Sequence, residues 1–165
     1  TQELSYPYLG LLISGGHTAF MWAENATTFK ILGSTIDDAA GEAFDKGGKL
    51  MNLGYPAGRY IDELAKSGNK KSFDFPIGLR SSADARFSFS GLKTALKVQI
   101  QKQPDLIDKP NNDLCASYQD AIVRALLLKT RYAIKKVVDE YGVKEFPIVL
   151  GGGVACNSGI RIAFM

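Results

Sequence analysis

The chain has 165 residues, of which 45% are hydrophobic and 22% are charged, a composition that suits a folded domain with a buried core and excludes a disordered tail. Its net charge of +3 is too small to indicate nucleic-acid binding by charge alone. No apolar run approaches the roughly 20 residues that span a bilayer, and no charged-then-apolar leader opens the sequence. We therefore expect a cytoplasmic protein that is not bound to a membrane and whose Cys115 and Cys156 stay reduced.

Three short apolar segments near the start predict an antiparallel meander. Residues 8–14, 18–24 and 28–35 each have the composition of a strand. The turns between them, at residues 15–17 and 25–27, have the short lengths that connect hairpin strands.

A helix is predicted to follow the meander, with Asp37 or Asp38 as its N-cap and Gly54 as its stop. Gly47 and Gly48 lie inside this helix and cost about 1 kcal/mol each relative to alanine. They either permit close packing of another backbone or mark a bend, and the sequence leaves both alternatives open.

An irregular, partly helical insert is predicted over residues 55–112. Within it, short helices are expected around residues 60–65 and 92–102, on either side of a polar stretch at 66–92.

The longest helix is predicted to begin at Asn112 or Asp113, to keep one face apolar and to end at Gly142. A strand at residues 146–150, a glycine-rich turn and a helix capped by Asn157 close the chain.

This order of elements is that of an α/β, ribonuclease H-like domain, the unit that actin-like ATPases (the ASKHA fold) use twice. We expect a mixed sheet, in which the three-stranded meander gains one parallel strand, with helices at its flanks. We also expect residues 1–165 to form one partial domain that lacks a first lobe and the C-terminal end.

Two glycine-rich turns are the main candidates for a binding site. Ser14-Gly15-Gly16 follows the first predicted strand, and Gly151-Gly152-Gly153 follows the last. Backbone N–H groups in such turns can approach an anion closely, so two turns at one end of a sheet would form a cradle for a nucleotide. The alternatives are an ordinary hairpin turn and an ordinary strand-to-helix turn.

Asp45 is a further candidate. Glu42 lies one helical turn before it and Asp38 two turns before it, so the three carboxylates are predicted to share one side of the helix. They would contact ribose hydroxyls or magnesium, and the alternative is an exposed acidic face near a helix start. His17, the only histidine in the chain, cannot build a zinc site alone.

Taken together, these motifs resemble the TsaD family (also called Gcp, YgjD or Kae-type). The matching stretches follow the family's order over nearly the whole chain: Leu12–Thr18 (LISGGHT), Asp37–Lys46 (DDAAGEAFDK), Gly54–Pro56 (GYP), Phe87–Ala95 (FSFSGLKTA), Ala116–Gln119 (ASYQ) and Gly152–Ala155 (GGVA), with Asn157 and Arg161.

The resemblance implies an acyltransferase that moves a threonylcarbamoyl group from threonylcarbamoyl-adenylate to the adenosine next to the anticodon of tRNA. The chain would be a fragment of that enzyme and inactive by itself. Two alternatives are a metalloprotease of the O-sialoglycoprotein endopeptidase type, which is the family's older description, and a non-catalytic nucleotide-binding paralogue.

The resemblance also implies particular contacts to ATP, AMP or threonylcarbamoyl-AMP. The first turn would hold phosphates or the acyl-adenylate through Leu12, Ile13, Ser14, Gly15 and Gly16. Asp45 would bind the ribose with Gly58 and Asp62 alongside, and Gly152, Gly153 and Asn157 would complete the adenosine pocket. The loop from Phe87 to Thr94 would line the active cleft.

The family's divalent metal, iron or zinc, is held by a histidine pair and a late aspartate that have no counterpart here, so no metal ligand is assigned in this chain. The implied partners are tRNA and other proteins of the threonylcarbamoyl-adenosine pathway, including a degenerate paralogue. A homodimer is a further expectation, because an incomplete sheet has a bare edge.

Four positions depart from the family's pattern. Ala57 stands where a second glycine is usual, and Arg59 stands where proline is common. Gly47-Gly48 replaces a pair that favours helix. These departures affect the shape expected for the ribose pocket.

Overall fold

A computed structural model describes residues 4–165. Its strands and helices are β1 (Tyr8–Ile13), β2 (Thr18–Ala23), β3 (Phe29–Ser34), α1 (Ala40–Leu50), α2 (Ala57–Ala65), α3 (Ser90–Lys102), α4 (Asn112–Tyr141), β4 (Ile148–Gly151) and α5 (Ser158–Ala163). Short 3₁₀ turns occupy Pro104–Ile107 and Gly153–Cys156.

The sheet has the strand order β3-β2-β1-β4. β1 and β2 pair antiparallel, as do β2 and β3, whereas β4 pairs parallel to β1 with Leu9 opposite Ile148 and Leu12 opposite Gly151. The prediction of a meander extended by one parallel strand is confirmed. Because β1 and β4 are parallel neighbours, the turns that follow them leave the same edge of the sheet.

One face of the sheet carries the core. In β1 and β2 the residues Leu9, Leu11, Phe20 and Trp22 are at most 1% exposed and point toward the helices. α4 covers this core with an apolar face that includes the buried Tyr118. Within residues 4–165, no helix has the length and apolar character that crossing a membrane requires.

α4 has the ends that the sequence predicts. The Asn111 side chain accepts a hydrogen bond from the Leu114 N–H at 2.9 Å, and Gly142 ends the helix with a left-handed φ of 67°. The helix begins at Asn112, as predicted, and its N-cap is the preceding residue, Asn111.

The start of α1 differs from the prediction. Its N-cap is Ala39, whose N–H donates to Glu42 Oε1 at 3.0 Å, while neither Asp37 nor Asp38 caps it. Asp38 instead forms an ion pair with Lys46 at 2.7 Å. The Asp38 side chain thus pairs with Lys46, and the Asp37 side chain accepts hydrogen bonds at the start of α3. Sequence spacing could not show either contact.

Asp37 holds the start of α3. Its Oδ1 accepts the N–H of Phe89 at 2.8 Å and that of Ser90 at 3.3 Å. Its Oδ2 accepts the hydroxyls of Ser88 at 2.5 Å and Ser90 at 2.9 Å. This capping is why α3 begins at Ser90, two residues before the predicted start.

These contacts predict how stability depends on pH. Burial raises the pKa of Asp37, but the hydrogen bonds from Ser88, Phe89 and Ser90 outweigh that effect and the net shift of the pKa is downward. Asp37 therefore stabilises the fold fully above the ordinary carboxyl pKa of about 4, and this contribution is lost as pH falls through the lowered native pKa. We expect Asp37→Asn to cost about 1 kcal/mol at pH 7, measured by urea unfolding.

The difference in stability between wild type and Asp37→Asn should shrink as the pH is lowered from about 5 to about 3. A difference that stays constant over that range would show that the charge of Asp37 has no part in holding α3.

A buried lysine ties the insert to α4. Lys129 is 0% exposed, and its Nζ donates to the backbone carbonyls of Leu79 at 2.7 Å and Ser82 at 2.8 Å. Asp84 lies 3.8 Å from the same Nζ. The polar stretch after α2 is thus anchored on the long helix although it has no regular structure of its own.

Gly47 and Gly48 do not bend α1, which is continuous from Ala40 to Leu50. A Cβ on Gly47 would lie 2.5 Å from the Tyr118 ring of α4, and one on Gly48 would lie 1.9 Å from the Cβ of Ala57 in α2. Close packing is therefore the reason for this glycine pair. It brings α2 and α4 against α1 beside Asp45.

Candidate functional site

A cavity of about 540 Å³ opens where the β1–β2 turn, α1, α2 and the segment after β4 meet. Its volume falls within the range of small-molecule pockets. Its lining residues are Gly15, Gly41, Phe44, Asp45, Pro56, Gly58, Arg59, Asp62, Glu63, Lys66, Gly153, Val154, Cys156 and Asn157.

The first glycine turn brings Gly15 to this cavity, with Gly16 next to it on the same turn. Ser14 closes the turn, because its N–H donates to the His17 carbonyl at 2.8 Å and its Oγ accepts the His17 N–H at 3.0 Å. The N–H groups of Gly15 and Gly16 have no acceptor among the described residues. A bound anion could therefore take both hydrogen bonds.

Gly41 presses α1 against this turn. Its N–H donates to the Ser14 carbonyl at 3.2 Å, and a Cβ at this position would lie 2.5 Å from the Cα of Gly15. The neighbouring Ala40 N–H donates to the Thr18 hydroxyl at 2.8 Å. The first amides of α1 are thus used to hold the turn in place.

Asp45 is the carboxylate of α1 that faces the cavity. It is half-buried, and no hydrogen bond or ion pair to it exists among the described residues. The prediction that three carboxylates work together is wrong, because Glu42 accepts the Ala39 N–H and Asp38 pairs with Lys46. A half-buried carboxylate without partners is a ready acceptor for ligand hydroxyls.

The glycines of the second turn have different roles. Gly152 has a φ of 90°, and a Cβ there would lie 2.2 Å from the Ile13 carbonyl oxygen, so this glycine is needed to pack the turn against β1. Gly151 and Gly153 have open space where a Cβ would be. Of the three, only Gly153 lines the cavity.

The floor of the cavity is a polar network between α2 and the start of α5. Asp62 accepts the Ser158 N–H at 2.9 Å and the Ser158 hydroxyl at 2.6 Å. The Asn157 Oδ1 caps α5 by accepting the Ile160 N–H at 3.0 Å, as the sequence predicts. Gln119 of α4 lies between Asp62 and Asn157 and contacts both.

The predicted site residues fall into two groups. Those that line the cavity together are Gly15, Asp45, Gly58, Asp62, Gly153 and Asn157. Those that do not line it are Leu12, Ile13, Ser14, Gly16 and Gly152. In the second group the Ile13 side chain is fully buried in the core and the Leu12 side chain is 44% exposed on the opposite face of the sheet. These residues shape or support the turns.

Several cavity residues were missed by the sequence interpretation. Gly41 and Phe44 belong to the DDAAGEAFDK stretch, where a glycine inside a helix was an available signal. Arg59 carries no signal beyond its departure from the family's pattern. Nothing in the sequence indicates that Gln119 reaches two other elements.

The described residues do not fit a metal. Within residues 4–165, no three His, Cys, Asp or Glu side chains lie together in a way that could hold an ion. His17 is exposed in the first turn. The described residues therefore contain no cluster of three such side chains for the divalent metal that the resemblance implies.

The mixed sheet and its flanking helices have the fold of an incomplete ribonuclease H-like (actin-like) domain, with the cavity at the ends of β1 and β4. Two solved structures of this fold match over nearly the whole chain. The chain belongs to the TsaD family, whose model, described as tRNA N6-adenosine threonylcarbamoyltransferase, matches residues 1–165.

The two structures are component A of the (R)-2-hydroxyglutaryl-CoA dehydratase of Acidaminococcus fermentans and the activator of the 2-hydroxyisocaproyl-CoA dehydratase of Clostridium difficile, the latter with bound ADPNP. The first has a TM-score of 0.55 at 19% identity, covering 96% of this chain and 51% of that one. The second has a TM-score of 0.53 at 16% identity, covering 98% and 51%. At such identities the likeness shows the fold alone.

Curated relatives carry the name tRNA N6-adenosine threonylcarbamoyltransferase. The protein of Anaeromyxobacter sp. is 49% identical over 157 residues, which is 95% of this chain and 45% of that protein. The protein of Syntrophotalea carbinolica is 47% identical over 161 residues, 97% of this chain and 45% of that protein. The chain thus spans about half the length of the curated relatives it matches.

Proposed function

We propose that this chain is part of a tRNA N6-adenosine threonylcarbamoyltransferase and that its cavity holds the adenylate of the acyl donor. The observation that carries the proposal is the convergence of two kinds of unused group on one cavity. The Gly15 amide is a free donor at the cavity, with the free Gly16 amide next to it on the same turn, and the Asp45 carboxylate is a free acceptor at the cavity. An adenylate needs donors for its phosphate and acceptors for its ribose hydroxyls.

In this arrangement the first glycine turn binds the phosphate and Asp45 binds the ribose. The adenine lies between Gly58 of α2 and the segment from Gly153 to Asn157, both of which contribute to the lining of the cavity. The amine of the tRNA adenosine attacks the carbamoyl carbon of the donor, a new C–N bond forms and AMP leaves with the bridging oxygen, while the amine loses a proton. The turn amides stabilise the charge of the departing phosphate.

These steps are written for the chain's own residues and include no metal, because residues 4–165 contain no cluster of three His, Cys, Asp or Glu side chains that could hold one. The alternatives of a metalloprotease and a non-catalytic paralogue gain no support from the cavity, and the relatives' names point to the transferase. We further propose tRNA as the substrate, other proteins of the same pathway as partners and the cytoplasm as the location. Homodimerisation stays a prediction.

The proposal is tested by nucleotide binding in the full-length protein that carries this chain. Calorimetry should detect the binding of AMP to the wild type. Asp45→Asn should weaken AMP binding about tenfold to a hundredfold, because a charged acceptor of ribose hydroxyls is lost. The same substitution should leave 2′,3′-dideoxy-AMP binding unchanged, since that ligand lacks the hydroxyls.

Asp139→Asn is the matched control. Asp139 lies on the exposed end of α4, where it pairs with Lys135 at 2.9 Å, so its loss removes the same charge far from the cavity. A wild-type protein that binds no adenine nucleotide, or an equal effect of Asp45→Asn on both ligands, would refute the placement. Absence of modified adenosine after incubation with donor, tRNA and metal would refute the transferase.

A further inference from the structure

Gln119 is a buried polar residue on a helix face that is otherwise apolar. It is 7% exposed, and its amide makes two contacts with the network under the cavity. Its Nε2 donates to Asp62 Oδ1 at 3.3 Å, and its Oε1 accepts the Asn157 Nδ2 at 2.8 Å. Gly159 leaves room for it, because a Cβ there would lie 2.7 Å from the Gln119 Nε2.

These contacts fix which way the Asn157 amide faces. Its Oδ1 is held by the Ile160 N–H at 3.0 Å, and one hydrogen of its Nδ2 is held by Gln119. Only the second hydrogen of Nδ2 remains for the cavity that Asn157 lines. The same glutamine also holds Asp62, whose other partners all come from Ser158.

We propose that Gln119 is a positioning residue for the nucleotide site. It joins α2, α4 and the start of α5, and it presents the Asn157 N–H and the Asp62 carboxylate to the ligand without lining the cavity itself. This inference rests on the proposed function, because it assumes that the ligand of the cavity is an adenine nucleotide.

Gln119→Glu is the informative substitution, because it keeps the shape of the side chain and changes one donor into an acceptor. The new carboxylate can still accept a hydrogen bond from the Asn157 Nδ2, but it has no hydrogen to donate to the Asp62 carboxylate when both groups are ionised. Two carboxylates at hydrogen-bonding distance cannot both ionise easily, so one pKa is raised. The network is then intact at low pH, when a proton bridges the pair, and is disrupted when that proton is lost.

Other titratable and charged groups lie around this pair. The titratable and charged side chains that face the cavity or flank Gln119 are Asp45 from α1, Arg59, Glu63 and Lys66 from α2, Cys156 from the 3₁₀ turn, and Asp120 from α4 with its partners Lys70 and Arg124.

The experiment measures AMP affinity and melting temperature of the full-length protein at several pH values. In Gln119→Glu we expect AMP affinity and melting temperature to fall together between about pH 5 and pH 8, with at least a tenfold loss of affinity across that range. Gln101→Glu, an exposed charge change on α3, should show neither effect. Gln119→Leu should weaken AMP binding about tenfold at every pH.

A second variant restores the missing donor. In Asp62→Asn/Gln119→Glu the new amide at position 62 can donate to the new carboxylate at position 119, while the amide oxygen still accepts from Ser158. The melting temperature and the AMP affinity of this double variant should therefore not show the pH dependence expected for Gln119→Glu.

The outcomes separate the two claims. If the melting temperature of Gln119→Glu depends on pH but its AMP affinity does not, Gln119 is a structural residue and the positioning role is refuted. If neither quantity depends on pH, the contact with Asp62 itself is refuted. If the wild type binds no adenine nucleotide at any pH, the proposed function fails and takes the positioning role with it.

Discussion

Gly48→Ala is expected to lower the melting temperature by about 4–8 °C, which corresponds to a net loss of about 2 kcal/mol in a domain of this size, from about 3 kcal/mol of overpacking less the gain in helix propensity. The added methyl group would lie 1.9 Å from the Cβ of Ala57 and 3.3 Å from its Cα, so the two helices must separate. Alanine favours helix over glycine by about 1 kcal/mol, which offsets only part of the cost.

A second substitution at Ala57, the residue that the added methyl group would contact, should restore the stability. In Gly48→Ala/Ala57→Gly the methyl group moves from one helix to the other, and we expect stability within about 1 kcal/mol of wild type. The control is Gly91→Ala on α3, where a Cβ meets nothing within 4 Å, and it should be neutral or slightly stabilising. A double variant as unstable as Gly48→Ala would mean that this pair does not limit how closely α1 and α2 approach.

The second large effect is expected at Gly41. A Cβ there would lie 2.5 Å from both the Ser14 carbonyl oxygen and the Gly15 Cα, which are backbone atoms and cannot rotate away. Gly41→Ala must therefore displace the turn from α1. Because the free Gly15 and Gly16 amides move with it, we expect AMP affinity to fall about a hundredfold, as the loss of two charge-assisted hydrogen bonds would give.

Calorimetry with AMP and with adenosine checks this expectation. Adenosine lacks the phosphate, so Gly41→Ala should weaken adenosine binding much less than AMP binding. Asp139→Asn, the exposed substitution at the end of α4, again serves as the control and should leave the affinity for both ligands unchanged. Equal losses for both ligands would show that the turn does not contact the phosphate.

The local elements were largely predictable because their signals are short-range. The strand patterns of β1 and β2, the start of α4 at Asn112 and its end at Gly142 depend on neighbours within a few residues. The start of α1 was not predictable in the same way. Asp37 looks like its cap, but the carboxylate serves Phe89 and Ser90, about 50 residues later.

The cavity residues could be predicted where the residue type itself suits a backbone conformation or a contact with a charge. They could not be predicted where a residue matters because of its contact with another part of the fold. Gly15, Asp45 and Asn157 are recognisable because their types suit anion, hydroxyl and helix-cap contacts. Gly41 and Gln119 have ordinary helix positions, and their importance comes from contacts with Ser14 and with Asp62.

By itself the sequence determined the order of the elements, the family and the two glycine turns, since these follow from patterns along the chain. Only the tertiary structure decided that Gly47 and Gly48 are packing glycines, that Gly152 supports β1 and that Asp45 alone of the three carboxylates reaches the cavity. The physical reason is that steric contact and hydrogen bonding act between atoms that are close in space. Folding brings together residues that are far apart in the sequence, and their positions in the sequence do not indicate that they will be in contact.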